Sequence, residues 1–577
     1  MMYMPKLPLF FFSIGFFLVS SLVITLLGAS ITFFLGGTIN GWLFPLAVLI
    51  SLGLSYGFFV NYIGTATLRS VLFYVLLLLL PLILALLISS YFYDVSVDGQ
   101  AYHQEALIQL KQGWNPYWQY LPDSVNQAIW VNHYAKGMET IQAAIYCTFH
   151  DIEVGKATNM VLWIGSFFLT LSFLSQIESI GLKKGILISG LLASSPTVLN
   201  QLLTYYVDGA LASSLLILSV LCVYIIKKAT TFHLLLLSLI IILLINIKFT
   251  GILYVCLSLG GFLLWLLVKK SFPALKKLLL VSVIAGFAAI VVGYNPYVTN
   301  SIKYHHPLHP LMGSARVDIM KDLNTPAGFN GKSGLERFLL STFAHTNNLF
   351  PSSEEKGIPL KVPFTFNKID VVNAARVDAR LGGFGPFFSG ILLLSLGLFC
   401  ILFVKARNQA IFNYLVWFIA LIILSVIIMP ESWWARYVPQ FWFIPPVLLL
   451  AGELLLKNQY TILKRLIYAS GILNMMFSLI GIFFNITLTE LIKYDLDVFK
   501  ASGKTVVVDW QGSASNRIRF IERGIPYEEQ DLDEATHHGM TGSEALFIKS
   551  EEMDNTAIQK SVWLRLTEKW LPNTWRY

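Results

Sequence analysis

Thirteen stretches of this chain approach or exceed the roughly 20 apolar residues that a helix needs to cross a bilayer. Their approximate limits are 8–36, 41–60, 70–92, 157–177, 184–202, 209–226, 232–248, 250–268, 276–293, 384–404, 411–429, 440–456 and 466–488. In hydrocarbon each backbone N–H and C=O must be satisfied within its own segment, so helices are the expected solution. Composition agrees. Of 577 residues, 56% are hydrophobic and only 13% charged, with mean hydropathy +0.66, whereas a soluble domain carries about a quarter charged residues. The expected fold class is mainly α: a polytopic membrane helix bundle of about thirteen transmembrane helices. The first apolar run is too long, and too closely followed by others, to read as a cleaved signal peptide.

The basic residues order these spans. Lys6, Arg69, Lys183, Lys184, Lys227, Lys228, Lys269, Lys270, Lys276, Lys277, Lys405, Arg407, Lys457, Lys464 and Arg465 all fall in connections on one side. The positive-inside rule makes that side cytoplasmic. The N-terminus is then cytoplasmic, and residues 93–156, the turn near 203–208, residues 294–383, residues 430–439 and the C-terminus lie outside. The compact loops suggest a bacterial cytoplasmic membrane. The net charge of +8 belongs to these short loops and implies no nucleic-acid partner. The four cysteines, at 147, 222, 256 and 400, have no ligand-like or disulfide-like spacing.

Two domains are expected. Residues 1–489 form the transmembrane domain with its outer loops 93–156 and 294–383. Residues 490–577 form a small extracytoplasmic α/β domain, with strands near Val506–Val508 and Ala545–Ile548, a helix over 514–523 and a break at Gly524-Ile525-Pro526. Within the first outer loop, 100–112 and 134–149 have apolar residues at helical spacing. They could lie along the membrane surface or pack on the outer ends of the spans.

Ionisable residues recur at one level, the outer interface. Asp94 and Asp98 follow the third span, Asp208 opens the sixth, and Lys248 separates two apolar runs. Arg436 follows Trp433-Trp434-Ala435. Asp378 and Arg380 precede the span that starts near Phe384, and His305, His306 and His309 follow the one that ends near Tyr294. Such groups near hydrocarbon are costly unless paired or used. Each has a plainer reading. Asp208 is placed to cap its helix, Lys248 could snorkel, Arg436 could anchor an aromatic belt, and the prolines among the histidines argue against a preformed metal site.

Asp98, Tyr102, Ala106 and Leu110, followed by Gly113-Trp114-Asn115-Pro116, resemble the first extracytoplasmic loop of the GT-C superfamily of membrane glycosyltransferases. That superfamily includes the protein O-mannosyltransferases and the aminoarabinose transferases. The resemblance implies transfer of a sugar from a polyprenyl-phosphate-linked donor to a glycan, lipid or protein acceptor, with inversion at the anomeric carbon. It implies Asp98 or Asp94 as the catalytic base. Asp208, Lys248, Arg436, Arg380, His103, Tyr102 and Trp114 would bind substrate. A divalent metal on Asp94, Asp98 and Asp208 remains open. Family members often carry a second acid directly after the first; here Gly99 takes that place, and two extra spans precede the loop.

Two other classes stay in view. A polysaccharide polymerase or O-antigen ligase would depend on Arg and His residues of later loops, such as Arg316, Arg337, Arg376 and Arg380 in 294–383. A lipid or solute transporter would need charges at mid-membrane and related halves, whereas the charges here gather at one face.

Overall fold

The computed structural model describes the chain except for residues 1–5, 63–66, 229, 319, 321–323, 350–356, 535–536, 555–556 and 576–577. Parts of the loop 294–383 thus lie outside the described residues. Among the described residues, ten helices are long and apolar enough to cross a membrane. They are α1 (Lys6–Phe34), α2 (Leu43–Tyr62), α3 (Leu68–Tyr91), α4 (Ala157–Leu174), α6 (Asp208–Lys228), α8 (Phe249–Val268), α9 (Phe272–Val292), α10 (Phe388–Ala406), α11 (Ala410–Ile428) and α13 (Thr461–Ser502).

Three of the thirteen expected spans are not among these ten. The stretch 184–202 is not one helix. It ends as α5 (Gly181–Ala193), breaks at Ser194 and Ser195, and restarts at Pro196–Gln201. Ser195 caps the new helix by accepting the Val198 N–H, with Pro196 in the first turn, where a missing N–H costs nothing. The helix α7 (Thr231–Ile247) has 17 residues. The stretch 440–456 divides into a 3-10 segment, Pro439–Phe443, and α12 (Ile444–Leu455).

Burial separates centre from periphery. The most apolar windows of α1 and α6 are each 83% buried within the protein, whereas those of α3 and α9 are each 22% buried. The central crossing of α1 and α4 depends on glycine. A Cβ on Gly15 would stand 2.4 Å from Leu169 Cγ and 3.0 Å from the Gly165 carbonyl oxygen. Small residues let membrane helices approach closely where no hydrophobic drive operates between them.

Both amphipathic segments of 93–156 pack inside the protein rather than along its surface. Leu107 and Leu110, on the helix Gln104–Lys111, are fully buried, as are Met138 and Ile141 on the helix Gly137–Phe149. The run that follows is tied to helix ends. Asn115 Nδ2 donates to the carbonyls of Phe33 (3.0 Å) and Gly37 (2.8 Å). The Tyr117 hydroxyl donates to Val292 O at the end of α9. We call the membrane face bearing these segments the loop face. At the opposite, basic face, buried Glu453 pairs with Lys184 and, at 3.4 Å, with Lys464. That joins the ends of α5, α12 and α13.

The C-terminal part forms a small four-stranded sheet of order β2-β1-β4-β3, with β1 at Val506–Asp509, β2 at Tyr527–Glu529, β3 at His538–Gly539 and β4 at Leu546–Phe547. The β1–β2 pair is parallel and the others antiparallel. The expected boundary at 490 falls within a continuous helix, because α13 runs 42 residues without a break.

A candidate site around Arg436

The segment Pro430–Val438 leaves α11 and turns a buried guanidinium toward the protein centre. Arg436 Nη1 lies 3.2 Å from Asp98 Oδ2, 3.3 Å from Asp378 Oδ1 and 3.7 Å from Asp208 Oδ2. Four elements far apart in sequence therefore meet at one nitrogen. The guanidinium carbon sits 4.3 Å from the Trp434 ring centroid and 4.7 Å from that of Tyr206, positions that favour a cation. Burial works against the charge of Arg436, but Asp378 foremost, and then Tyr206, Asp98 and Asp208, raise its pKa well above the ordinary value. Its Nε has no hydrogen-bond partner among the described residues.

A second tier supports these groups. Lys248 Nζ donates to Asp208 Oδ1 at 2.7 Å and lies 4.4 Å from the Tyr437 ring centroid. Lys248 is the single extended residue between α7 and α8, so its side chain is set by two helix ends. Asp208 does not cap α6 as expected. The side-chain Oε1 of Gln201 takes the Gly209 N–H at 2.7 Å, which frees the Asp208 carboxylate for Lys248. Arg380 Nε donates to Asp378 Oδ2 at 2.9 Å, and its guanidinium carbon lies 4.0 Å from the Trp434 ring centroid. Ala379 between them has φ +43°, a left-handed backbone that costs a non-glycine residue roughly 1–2 kcal/mol. Trp434 Nε1 on the Asp378 carbonyl (2.7 Å) and Asn348 Oδ1 on the Arg380 N–H (2.7 Å) hold that conformation. The Tyr206 hydroxyl donates to Asp378 Oδ1 at 3.0 Å. Burial alone would raise the Asp378 pKa, but Arg436 and Arg380 outweigh it and lower it.

Three carboxylates (Asp98, Asp208, Asp378) thus face three cations (Lys248, Arg380, Arg436). Access differs among them: the side chains of Asp98 and Lys248 are 27% and 22% exposed, whereas the other four are at most 8% exposed. A ligand arriving from outside meets Asp98 and Lys248 first.

Of the residues singled out in the sequence, Asp98, Asp208, Lys248, Arg380 and Arg436 come together. Tyr102 flanks them: burial first, and then Asp98, push its phenol pKa well up, so it remains a proton-bearing donor. His103 turns away to Glu139, 2.6 Å from its Nδ1. Trp114 is buried and donates to the Gln119 carbonyl. His309 stacks on Tyr304 at 3.8 Å. Among the described residues, no group of three or more His, Cys, Asp or Glu side chains stands where it could hold a metal ion. Asp378, named beside Arg380 in the sequence, joins the residues around Arg436, and Tyr206 and Trp434 complete the cluster. The sequence signal for Tyr206 is its place two residues before Asp208.

Asp94 belongs to a different cluster. Its Oδ1 accepts from the Ser96 N–H (3.0 Å) and hydroxyl (2.7 Å), and its Oδ2 from Gln104 (3.3 Å). Behind it, Glu153 meets Lys156 and, at 3.1 Å, Arg519 of the C-terminal part. Gly99 is required here. A Cβ on it would stand 2.0 Å from Asp94 Oδ2 and 2.2 Å from Ser96 Oγ, so a second acid directly after Asp98 has no room. Burial, and next Glu153, raise the Asp94 pKa to about 6. The native state therefore binds the proton more tightly than the unfolded chain, in which the pKa is about 3.9. Stability from this group is fully present below the unfolded value and is lost as pH rises toward about 6. Asp94→Asn should flatten the thermal stability of the protein between those pH values relative to the parent, because Gln104 Oε1, now without a partner, can accept from the new amide. Parallel melting curves for the two proteins across that range would refute the assignment.

Comparison of the chain with family models, with curated proteins and with solved structures finds no match.

Proposed function

We propose that this protein is an integral-membrane glycosyltransferase that moves a sugar from a polyprenyl-phosphate donor to an acceptor hydroxyl at the loop face of the membrane. The observation that carries this reading is the convergence of Asp98 on Arg436 at the end of the membrane helices, with Arg436 Nε unpartnered among the described residues. A lipid-linked donor delivers its phosphate at the membrane interface, where a buried guanidinium can take phosphate oxygens through two donors at once. Lys248, partly exposed and next to Asp208, supplies a second cation. When phosphate oxygens occupy Arg436, the Asp98 carboxylate is released from its ion pair and is free to face the acceptor hydroxyl.

The chemistry then follows. Asp98 accepts the proton of the acceptor hydroxyl. The acceptor oxygen forms its bond to the anomeric carbon as the bond from that carbon to the phosphate oxygen breaks. The electron pair leaves on the polyprenyl phosphate, where Arg436 and Lys248 stabilise the growing charge. Attack opposite the phosphate inverts the anomeric centre. A small cavity beside α6, α8 and α11 is lined by Leu215, Tyr254, Phe262, Phe418 and Phe443 and by the polar Ser219, Ser258, Ser425 and Gln440. It adjoins the cluster through the Tyr254 hydroxyl, which donates to the Tyr437 carbonyl. The orientation that goes with this reading puts the loop face outside a bacterial cytoplasmic membrane.

The test is analysis of lipid extracts from cells lacking the protein, together with purified protein in nanodiscs supplied with polyprenyl-phosphate sugars. The expected results are accumulation of a sugar-phosphate lipid in the cells and release of free polyprenyl phosphate in vitro. A ladder of lengthened lipid-linked glycans would instead make the protein a polymerase. Uptake into vesicles without turnover would make it a transporter.

A further inference from the structure

Near the end of the chain, the helix Val562–Thr567 runs into a 3-10 turn at Glu568–Trp570. Its two faces differ sharply. Leu564 is fully buried, whereas Val562, Leu566 and Trp570 are each about 65% exposed (65%, 64% and 64%) and Trp563 is 39% exposed. Four large apolar side chains within nine residues form the kind of exposed patch that marks an interaction site.

The buried side of this segment fixes its level. Trp563 packs on Phe483 of α13 with ring centroids 5.7 Å apart, and the Thr487 hydroxyl donates to that of Thr567 at 3.1 Å. At its basic end α13 carries Lys464 and Arg465. Counting about 20 residues from there, at about 1.5 Å each, α13 leaves the hydrocarbon near residue 486. Phe483 and Thr487 bracket that point, and just beyond it Glu490 binds the Tyr91 hydroxyl and Lys493. The exposed face of 562–570 thus continues the surface that α13 turns toward lipid, where Met476 and Leu479 are 52% and 48% exposed. On the same helix Phe477 packs with Phe366, at 5.3 Å, from the loop 294–383. Lys560 answers Glu568 at 2.5 Å, and the exposed Arg565 and Lys569 give the outward face a positive charge.

We propose that Val562–Trp570 is an interfacial anchor whose partner is the bilayer itself. Val562, Trp563, Leu566 and Trp570 sink into the boundary between headgroups and acyl chains, and Arg565 and Lys569 engage the phosphates of anionic lipids. The anchor holds down the C-terminal part, which also contacts the first loop. There Asn516 donates to Gln100 (2.9 Å) and Arg517 to both oxygens of Glu105 (2.6 and 2.8 Å), within the first turns after Asp98. This inference stands independently of which substrate the protein uses.

The test uses the full chain in nanodiscs of phosphatidylcholine and phosphatidylglycerol. Leu566→Cys is made in a background carrying Cys147→Ser, Cys222→Ala, Cys256→Ser and Cys400→Ser, and is labelled with an environment-sensitive nitrobenzoxadiazole dye. Trp570→Cys serves as a second reporter, and Lys504→Cys, beyond the end of α13, as the aqueous reference. The expected result is a blue-shifted emission at 566 and 570, quenched by nitroxide on the acyl chains and little affected by iodide, with the reverse at 504. Water-like emission with iodide quenching at 566 and 570 overturns the anchor. Protection from both quenchers that depends on protein concentration overturns it in favour of a second copy of the chain. Removing the phosphatidylglycerol, or introducing Arg565→Glu with Lys569→Glu, should reduce the blue shift. An unchanged emission in both cases overturns the role of anionic lipid.

Discussion

Asp98→Asn is expected to lower sugar transfer by about 10²- to 10⁴-fold, the usual contribution of a positioned general base, while leaving a folded protein in the membrane. The asymmetry follows from the surroundings of Asp98. It is the most exposed acid of the cluster, at 27%, and its 3.2 Å contact with Arg436 is one of three that Arg436 makes with carboxylates. When its charge is removed, Arg436 keeps Asp378 at 3.3 Å and Asp208 at 3.7 Å, so no buried cation is stranded. Partly exposed ion pairs contribute little stability in any case, about 0–1 kcal/mol. The comparison with Asp94→Asn makes the test specific. Asp94 is bound by Ser96 and Gln104 on the far side of Gly99, so its amide should retain turnover. Release of polyprenyl phosphate would be followed for both variants beside their melting temperatures. Near-parental turnover by Asp98→Asn, with Asp94→Asn inactive, would exchange their roles.

Arg436→Met should act in the opposite way, on folding before chemistry. It leaves three carboxylates, with Asp378 8% and Asp208 1% exposed, facing only Arg380 and Lys248. Deleting one partner of a buried pair costs on the order of 3–5 kcal/mol where the remaining charge is uncompensated. Arg380 and Lys248 still balance part of it here, so the cost falls at or below the lower end of that range. The effect should appear as a fall in melting temperature and in the yield of monodisperse protein. A second substitution separates charge from packing. Asp378→Asn added to Arg436→Met removes the most deeply engaged acid and should recover much of the lost stability, since Arg380 can still donate to the amide oxygen. Turnover should not return, because the phosphate-binding guanidinium is still missing. If the double variant melts no higher than Arg436→Met alone, the stabilising role of Arg436 is steric contact with Trp434 and Tyr206 rather than charge balance.

The helices were legible because lipid imposes a length and a composition that any reader of the chain can count. What blurred the count were local breaks. Ser194, Ser195 and Pro196 interrupt an apolar run whose hydropathy barely changes, and Pro439 starts a 3-10 segment inside another. The cluster was legible as a level but not as a set of partners. The topology put Asp98, Asp208, Lys248, Asp378, Arg380 and Arg436 at one height, yet which of them touch depends on how helices are arranged around α6, and periodicity does not report that. Asp94 shows the limit most clearly. Four residues from Asp98, it leaves the same helix exit, and only the spacing of Asp98 to Tyr102 ranked it second. Its actual neighbourhood is set by Glu153 and by Arg519, more than 400 residues away: the Arg519 guanidinium donates to the Asp94 carbonyl across a separation of 425 residues. Trp114 and His103 stand apart from the cluster around Arg436, and the sequence could not place them for a related reason. Aromatic and imidazole groups at an interface serve packing and binding equally well, and only their partners, Gln119 and Glu139, decide between the two.

The unbroken 42 residues of α13 impose a phase relation on the molecule. A rod about 63 Å long starts at the Lys464–Glu453 pair on one side of the membrane and ends beneath β1 on the other. Each residue inserted beyond Thr487 would turn everything above it by about 100°. The arginines at 517 and 519 would then swing away from Glu105 and Glu153, and the aromatic face at 563–570 would rotate out of line with the lipid boundary. Such a helix works like the shaft of a key. Its length tolerates change only in whole turns, so insertions and deletions between 488 and 502 should be far rarer among natural variants than substitutions at the same sites.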